Sequence, residues 1–292
     1  MLKLKLENPI DSTTITILES VARVSADLGI DYFVVGATAR DILLTHVYGI
    51  DMLRATLDID FAIAVKDWSE FDRLKNGLLK VKGFISTGKM KQRLEFHPDT
   101  GAHSDAYPID LVPFGGVASA AHMIAWPPDM QVVMNVCGYD EVYAAAEEVE
   151  LSPGYSIRVA SLAGLGLLKL FAWEERGLKN PKDAQDLHTL LKNYFDSGNR
   201  DRIYEEESDL LAEVDYDPIL AGAILLGKDI ARIANETTRQ KLIAILEQPE
   251  LWERLVTHMV GRNNFTDGST EKVEQLLSLF LRGLSGANAD DL

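Results

Sequence analysis

Three aspartates carry most of the chemistry that this sequence advertises. In TLDIDFAIAV, Asp58 and Asp60 alternate with Leu57, Ile59 and Phe61, so a strand period of two sets both carboxylates on one face and the apolar residues on the other. In YPIDLVPFGG, Asp110 is a third acid among apolar neighbours, on a strand that stops at Phe114, Gly115 and Gly116. Any one of these acids alone has an ordinary explanation as an exposed edge or turn residue. The set of three is harder to dismiss: aspartate is depleted in strands, and gathering like charges is costly unless cations compensate, as in a two-metal phosphoryl-transfer site. The run YFVVGATARDILL offers the complement. A buried strand over residues 32–35 leads to Gly36 and Ala37, which allow close backbone approach, then to Thr38 as a helix cap and to Arg40. That is a place to hold phosphate, and Arg54, ahead of the aspartate strand, reads either as a second phosphate contact or as a solvated loop arginine. His97 and His103 have no partner at metal-ligand spacing and read as loop histidines.

These residues need a sheet to position them. An amphipathic helix over 9–29, capped by Asp11, Ser12 or Thr13, leads into the strand at Tyr32, and a helix continues after Arg40 through Leu44. A loop over 49–56, a helix over 67–82 and short strands over 84–86 and 93–96 follow. The connecting region 117–138 carries Trp126, Pro127 and Pro128, which cannot be helix interior; Trp126 could stack on a base, although packing is the ordinary role of a loop aromatic. Strands over 148–151 and 156–159 extend the sheet. Beyond residue 160 the pattern is helical, with helices over 160–173, 180–196, 218–235, 237–246, 249–260 and 270–284 and an acidic, solvated stretch over 200–217. Lys169, inside the most apolar of these helices, either snorkels to the surface or points at a phosphate. Lys182, Asp183 and Asp186 lie near the start of the next helix, where its dipole favours acids regardless of function.

Length and charge bound the class. At 292 residues with 47% hydrophobic and 25% charged residues, the make-up is that of a globular protein of two domains, divided into 1–159 and 160–292, with a disordered acidic tail from about 284. A formal net charge of −16 opposes a broadly basic groove for duplex nucleic acid and leans towards a protein or a cationic small molecule as partner. The single cysteine, Cys137, cannot form an internal disulfide, and no signal segment or long apolar span is visible, so a reduced, cytoplasmic protein without a membrane partner is expected.

The G-A-T-x-R-D turn, the D-I-D strand and the later I-D-L strand together resemble the active-site core of the nucleotidyltransferase superfamily typified by DNA polymerase beta, over roughly residues 32–116. LLKLFAWEERGLKNPKDAQDLHTLL, residues 167–191, is similar to the helices of the AbiEii-like toxin branch and its uncharacterised bacterial relatives. The resemblance implies an α/β fold: a polymerase beta-like nucleotidyltransferase domain, a mixed sheet with flanking helices, followed by an all-α domain that closes the nucleotide cleft. It also implies transfer of a nucleoside monophosphate from an NTP to an acceptor hydroxyl on a tRNA or other RNA 3′ end, a protein or a small molecule. Mg²⁺ is the implied cofactor, as two ions, with Mn²⁺ as the alternative, and an antitoxin the implied partner. Residue by residue, Asp58, Asp60 and Asp110 would hold the metals and perform catalysis, with Asp110 near the attacking hydroxyl. Gly36, Ala37, Thr38, Arg40, Arg54, Lys169 and Asp186 would bind the nucleotide. Ala37 departs from the Ser or Gly usual in the superfamily, and the Arg40–Asp41 pair is similar to the CCA-adding branch. A non-catalytic nucleotide-binding or partner-binding protein is the other class of function that these residues allow.

Overall fold

A computed structural model describes residues 1–51, 58–88, 90–99, 106–152, 154–261 and 268–286, so Arg54, His103 and the last six residues of the tail lie outside the described residues. The chain divides into two compact units, Met1–Ser161 and Leu162–Leu292.

The first unit holds, in order, β1 (Leu2–Lys3), α1 (Ser12–Leu28), β2 (Tyr32–Val35), α2 (Gly36–Asp41) running into a π-helical segment (Ile42–Val47), β3 (Ile59–Val65), α3 (Trp68–Leu78), β4 (Phe84–Ile85), β5 (Arg93–Phe96), β6 (Tyr107–Gly115), β7 (Met123–Ala125), β8 (Val133–Asn135), α4 (Tyr139–Ala144), β9 (Glu147–Ser152) and β10 (Tyr155–Val159). Eight strands form one mixed sheet in the order β1-β9-β10-β2-β3-β6-β5-β4, while β7 and β8 make a separate hairpin. At its centre β2 runs antiparallel to β3 and β3 parallel to β6. Central strands can afford little polarity, and β2, β3 and β6 are accordingly runs of Phe, Val, Ile and Leu interrupted by few acids. Phe33, Phe61 and Phe114 are fully buried, and Phe33 meets Phe114 edge-on at 5.7 Å.

Local chemistry sets the helix ends. Asp11 accepts hydrogen bonds from the amides of Thr13 and Thr14 at 3.1 and 2.9 Å and so caps α1, and Asp67 caps α3 through the amide of Glu70 at 2.9 Å. Thr38 does not cap: α2 begins two residues earlier, at Gly36, because the backbone turns directly out of β2. The region 117–138, expected to be loop throughout, contains the β7–β8 hairpin, and α4 follows it. Trp126 is buried and packs against Trp68 and Phe71 at 5.2 and 5.6 Å, a core contact and not a platform for a base.

The described residues of the second unit form helices alone: α5 (Leu162–Arg176), α6 (Lys182–Asn193), α7 (Arg200–Glu205), α8 (Ser208–Glu213), α9 (Pro218–Ile233), α10 (Glu236–Glu247), α11 (Pro249–Val260) and α12 (Ser269–Ser285). The stretch expected to be solvated is folded as α7 and α8, whose Ile203, Leu210 and Leu211 are buried. Charge ties it to α9: Arg202 makes paired hydrogen bonds of 2.7 Å to both oxygens of Asp229, and Arg232 bridges Asp229 and Glu207. No helix among the described residues is long and apolar enough to cross a membrane.

Candidate active site

β2 delivers the chain to its turn at Val35, which pairs with Asp60 on β3. The next residue, Gly36, has φ of +69°, a left-handed conformation that side chains resist. A Cβ there would also stand 2.8 Å from the Asp60 Cγ, so the turn lies directly against that carboxylate. Thr38, buried, donates its hydroxyl to the carbonyl of Asp58 at 2.7 Å, which ties the turn to the residue just ahead of β3. Gly36, Ala37, Thr38, Asp58 and Asp60 therefore form one local structure in which hydrogen bonding and close approach replace side-chain bulk. Arg40 is buried, and its Nε and Nη2 donate to Asp41 Oδ1 at 2.9 and 2.6 Å.

The third acid arrives from the other side of β3. Because β3 and β6 are parallel with Ile59 opposite Ile109, Asp60 is the direct register partner of Asp110. Residues in register share a face, so the two acids leave neighbouring strands, about 4.8 Å apart, on the same side of the sheet. Asp58, two residues before Asp60, is exposed. One further strand along, Arg93 on β5 is the register partner of Asp110. Its Nε and Nη2 donate to the two oxygens of Asp110 at 2.8 and 2.5 Å. The row across the sheet is thus Asp60, Asp110, Arg93. Hydrogen bonding to Asp110 is the largest cause of a raised Arg93 pKa; partial burial opposes it, and the charges of Asp110, Asp58 and Asp60 add to it. Arg93 was not singled out in the sequence, where the only signal was an arginine alternating with Leu94 and Phe96 on a short strand.

Carboxylate oxygens are the donors that hard divalent cations such as Mg²⁺ prefer, so the chemistry of Asp58, Asp60 and Asp110 suits that ion. Their arrangement is less complete. Among the described residues no group of three or more His, Cys, Asp or Glu side chains is placed to hold a metal ion, and both Asp110 oxygens accept from Arg93.

Lys169 and Asp186 belong to the second unit and are described within it. Lys169 is buried on α5 and does not snorkel: its Nζ donates to Asp183 at 3.0 Å and to Asp186 at 2.6 Å, both on α6. Asp183 is buried too, and Arg176 donates to both of its oxygens at 2.7 and 3.0 Å. Burial pushes the Lys169 pKa down, but the charges and hydrogen bonds of Asp186 and Asp183 outweigh it and leave it raised. Burial likewise pushes Asp183 up, and Arg176 with Lys169 brings it below its ordinary range. Lys169 on α5 and Asp183 and Asp186 on α6 are therefore a buried helix-to-helix ion network.

A turn of this kind against strand aspartates, followed by a helical unit, is the make-up of a nucleotidyltransferase. The chain belongs to the family described as nucleotidyl transferase AbiEii toxin, type IV TA system, whose model matches residues 21–274. No curated protein matches the sequence. Among solved structures it is similar to an antibiotic-resistance factor, ANT(2'')-Ia, at 13% identity and a TM-score of 0.37, covering 71% of this chain and all of that one. It is also similar to a CCA-adding enzyme in complex with CTP, at 14% identity and a TM-score of 0.33 over 94% of this chain and 69% of that one. Likenesses this distant add no weight beyond the family match.

Proposed function

We propose that this protein transfers a nucleoside monophosphate from an NTP to an acceptor hydroxyl. The observation that carries this is the register pairing of Asp60 with Asp110 beside the Gly36 turn, because it sets two acids next to each other on one face with the turn held directly against the Asp60 carboxylate. The acceptor oxygen attacks the α-phosphorus, the bond to the pyrophosphate oxygen breaks, and the hydroxyl proton leaves through the carboxylate row. Asp58 and Asp60, with Asp110, would hold Mg²⁺, or Mn²⁺ in its place, which when bound neutralises charge on the triphosphate. The amides of Gly36 and Ala37 and the segment through Thr38 to Arg40 would orient the phosphates, and Asp110 would accept a proton from the attacking hydroxyl or align it.

The acceptor is an RNA 3′ end, a protein or a small molecule, and the charge of −16 favours the last two. A toxin role with an antitoxin encoded as its counterpart rests on the family alone. Incubating the purified chain with each labelled NTP, Mg²⁺ and a cell extract tests the proposal: label should enter one acceptor class, and Asp60→Asn should lower the rate by on the order of a hundredfold or more, since a metal ligand contributes several kcal/mol of barrier lowering. Label incorporated equally by Asp60→Asn would remove the assignment.

A further inference from the structure

The row Asp60, Asp110, Arg93 poses a problem that the proposed chemistry must solve. Arg93 takes one lone pair on each Asp110 oxygen and neutralises the carboxylate's charge, so a cation approaching Asp110 meets the repulsion of the guanidinium and binds more tightly as Arg93 withdraws. Without a cation, the same guanidinium is what lets Asp110 stand beside Asp60: side by side in register, the two acids repel, and the positive charge next in the row offsets that.

We propose that Arg93 is the resident counter-ion of Asp110 and that a divalent cation and Arg93 are alternative partners for this one carboxylate, so that Arg93 sets how tightly the metal binds. This rests on the nucleotidyltransferase site proposed above. Exposure supports exchange: the side chains of Arg93 and Asp110 retain 29% and 18% of their accessible surface, whereas Asp183, in the ion pair of the helical unit, retains 3%. A pair open to water can part because water solvates the released guanidinium; a pair closed to it cannot. The topology agrees, since among the described residues only the two-residue β4 lies outside β5 in the sheet. Arg93 is thus a positioning residue: it acts on the metal through Asp110 and stabilises the empty site.

The test uses the full chain and Mn²⁺ alone, followed by calorimetry and by the resonance signal of free Mn²⁺, with thermal midpoints taken with and without the ion. Arg93→Gln is expected to bind Mn²⁺ about tenfold more tightly than the natural chain, the scale of one charge-assisted bidentate contact. Its midpoint without metal should fall, and saturating Mn²⁺ should raise that midpoint by more than it raises that of the natural chain. Asp110→Asn should abolish the gain when combined with Arg93→Gln, and Lys91→Gln, which removes an exposed cation two residues away, should not reproduce it. If Arg93→Gln does not fold, Arg93→Lys, which keeps the charge but loses the fork, should show a smaller tightening. Equal or weaker Mn²⁺ binding by both Arg93 variants overturns the proposal while leaving the transferase assignment standing. So does a gain that survives Asp110→Asn. Absence of Mn²⁺ binding in every variant overturns it together with the metal site, and nucleotide labelling by the natural chain then shows whether the transferase assignment falls too.

Discussion

The carboxylate of Asp60 occupies the space that a side chain on Gly36 would fill, with the Asp60 Cγ 2.8 Å from where the Cβ would lie. Two costs therefore fall on one substitution. Gly36→Ala must adopt φ of +69° and must also push Asp60 aside. Gly29, at the C-terminus of α1, is the control: its φ is +65°, yet a Cβ there meets nothing within 4 Å. Gly29→Ala should lose only the backbone term, roughly 1 kcal/mol, and keep activity. Gly36→Ala should lose more than Gly29→Ala in urea unfolding and should abolish NTP labelling. Equal stability losses with labelling intact would mean that Asp60 swings away without consequence.

Thr38 makes the second tie between the turn and the acids. Its hydroxyl donates to the Asp58 carbonyl at 2.7 Å from a buried position, so Thr38→Val leaves that bond unmade at nearly constant volume. About 1 to 2 kcal/mol of stability should go, and nucleotide affinity with it as Asp58 loosens, while Thr38→Ser restores both. Denaturation and NTP titration of the two variants check this; a Thr38→Val as stable and as tight-binding as the natural chain would show that the hydroxyl bond contributes neither.

Strands with an uninterrupted apolar run or a clean alternation, β2, β3, β6, β9 and β10, were legible because burial on one or both faces dictates their composition. The β7–β8 hairpin was not: its strands are three residues each around Pro127 and Pro128, too short for a period to show. The acids were legible as types on strands, but their neighbours were not. Asp60 meets Asp110 through a parallel register fifty residues apart in sequence, and Arg93 meets Asp110 through a pairing that closes over seventeen. No local pattern encodes such pairings. Lys169 shows the same limit, since its helix announced burial but not the two carboxylates that α6 brings to it. Thr38 was misplaced as a cap because the helix start depended on Gly36 adopting a positive φ, which the sequence permits without requiring.

In the helical unit, buried Trp173 donates its indole N–H to Nδ1 of His258 at 3.0 Å, so that nitrogen must carry no proton. Burial, and then the charge of Arg254, lower the pKa of His258. A histidine whose folded pKa lies below its unfolded value contributes stability that is present above about 6.5 and lost as pH falls through the folded value. The natural chain should therefore show a Trp173 fluorescence change below about pH 6.5 that is absent in His258→Gln. An identical acid transition in both would place it elsewhere.

Lys169, Asp183, Asp186 and Arg176 provide the sharpest separation of stability from catalysis. Lys169→Met keeps volume but leaves Asp183 and Asp186 buried without their common cation, so the helical unit should lose about 3 to 5 kcal/mol. Arg176, whose side chain is 57% exposed, should matter far less, and Arg176→Gln should cost about 1 kcal/mol. The pH profile follows from the two shifts. Asp183 lies lowered, so its contribution is present above the unfolded aspartate value of about 3.9 and disappears as pH falls through the folded one. Lys169 lies raised, so its contribution is present below the unfolded lysine value of about 10.4 and disappears as pH rises through the folded one. Stability from this network should accordingly be flat from about pH 5 to 9 and fall at both ends, and Asp183→Asn should remove its share of the acid limb. Urea unfolding at several pH values measures this. If instead Lys169→Met unfolds within about 1 kcal/mol of the natural chain and loses only nucleotide affinity, Lys169 serves the triphosphate and its pairing with α6 is incidental.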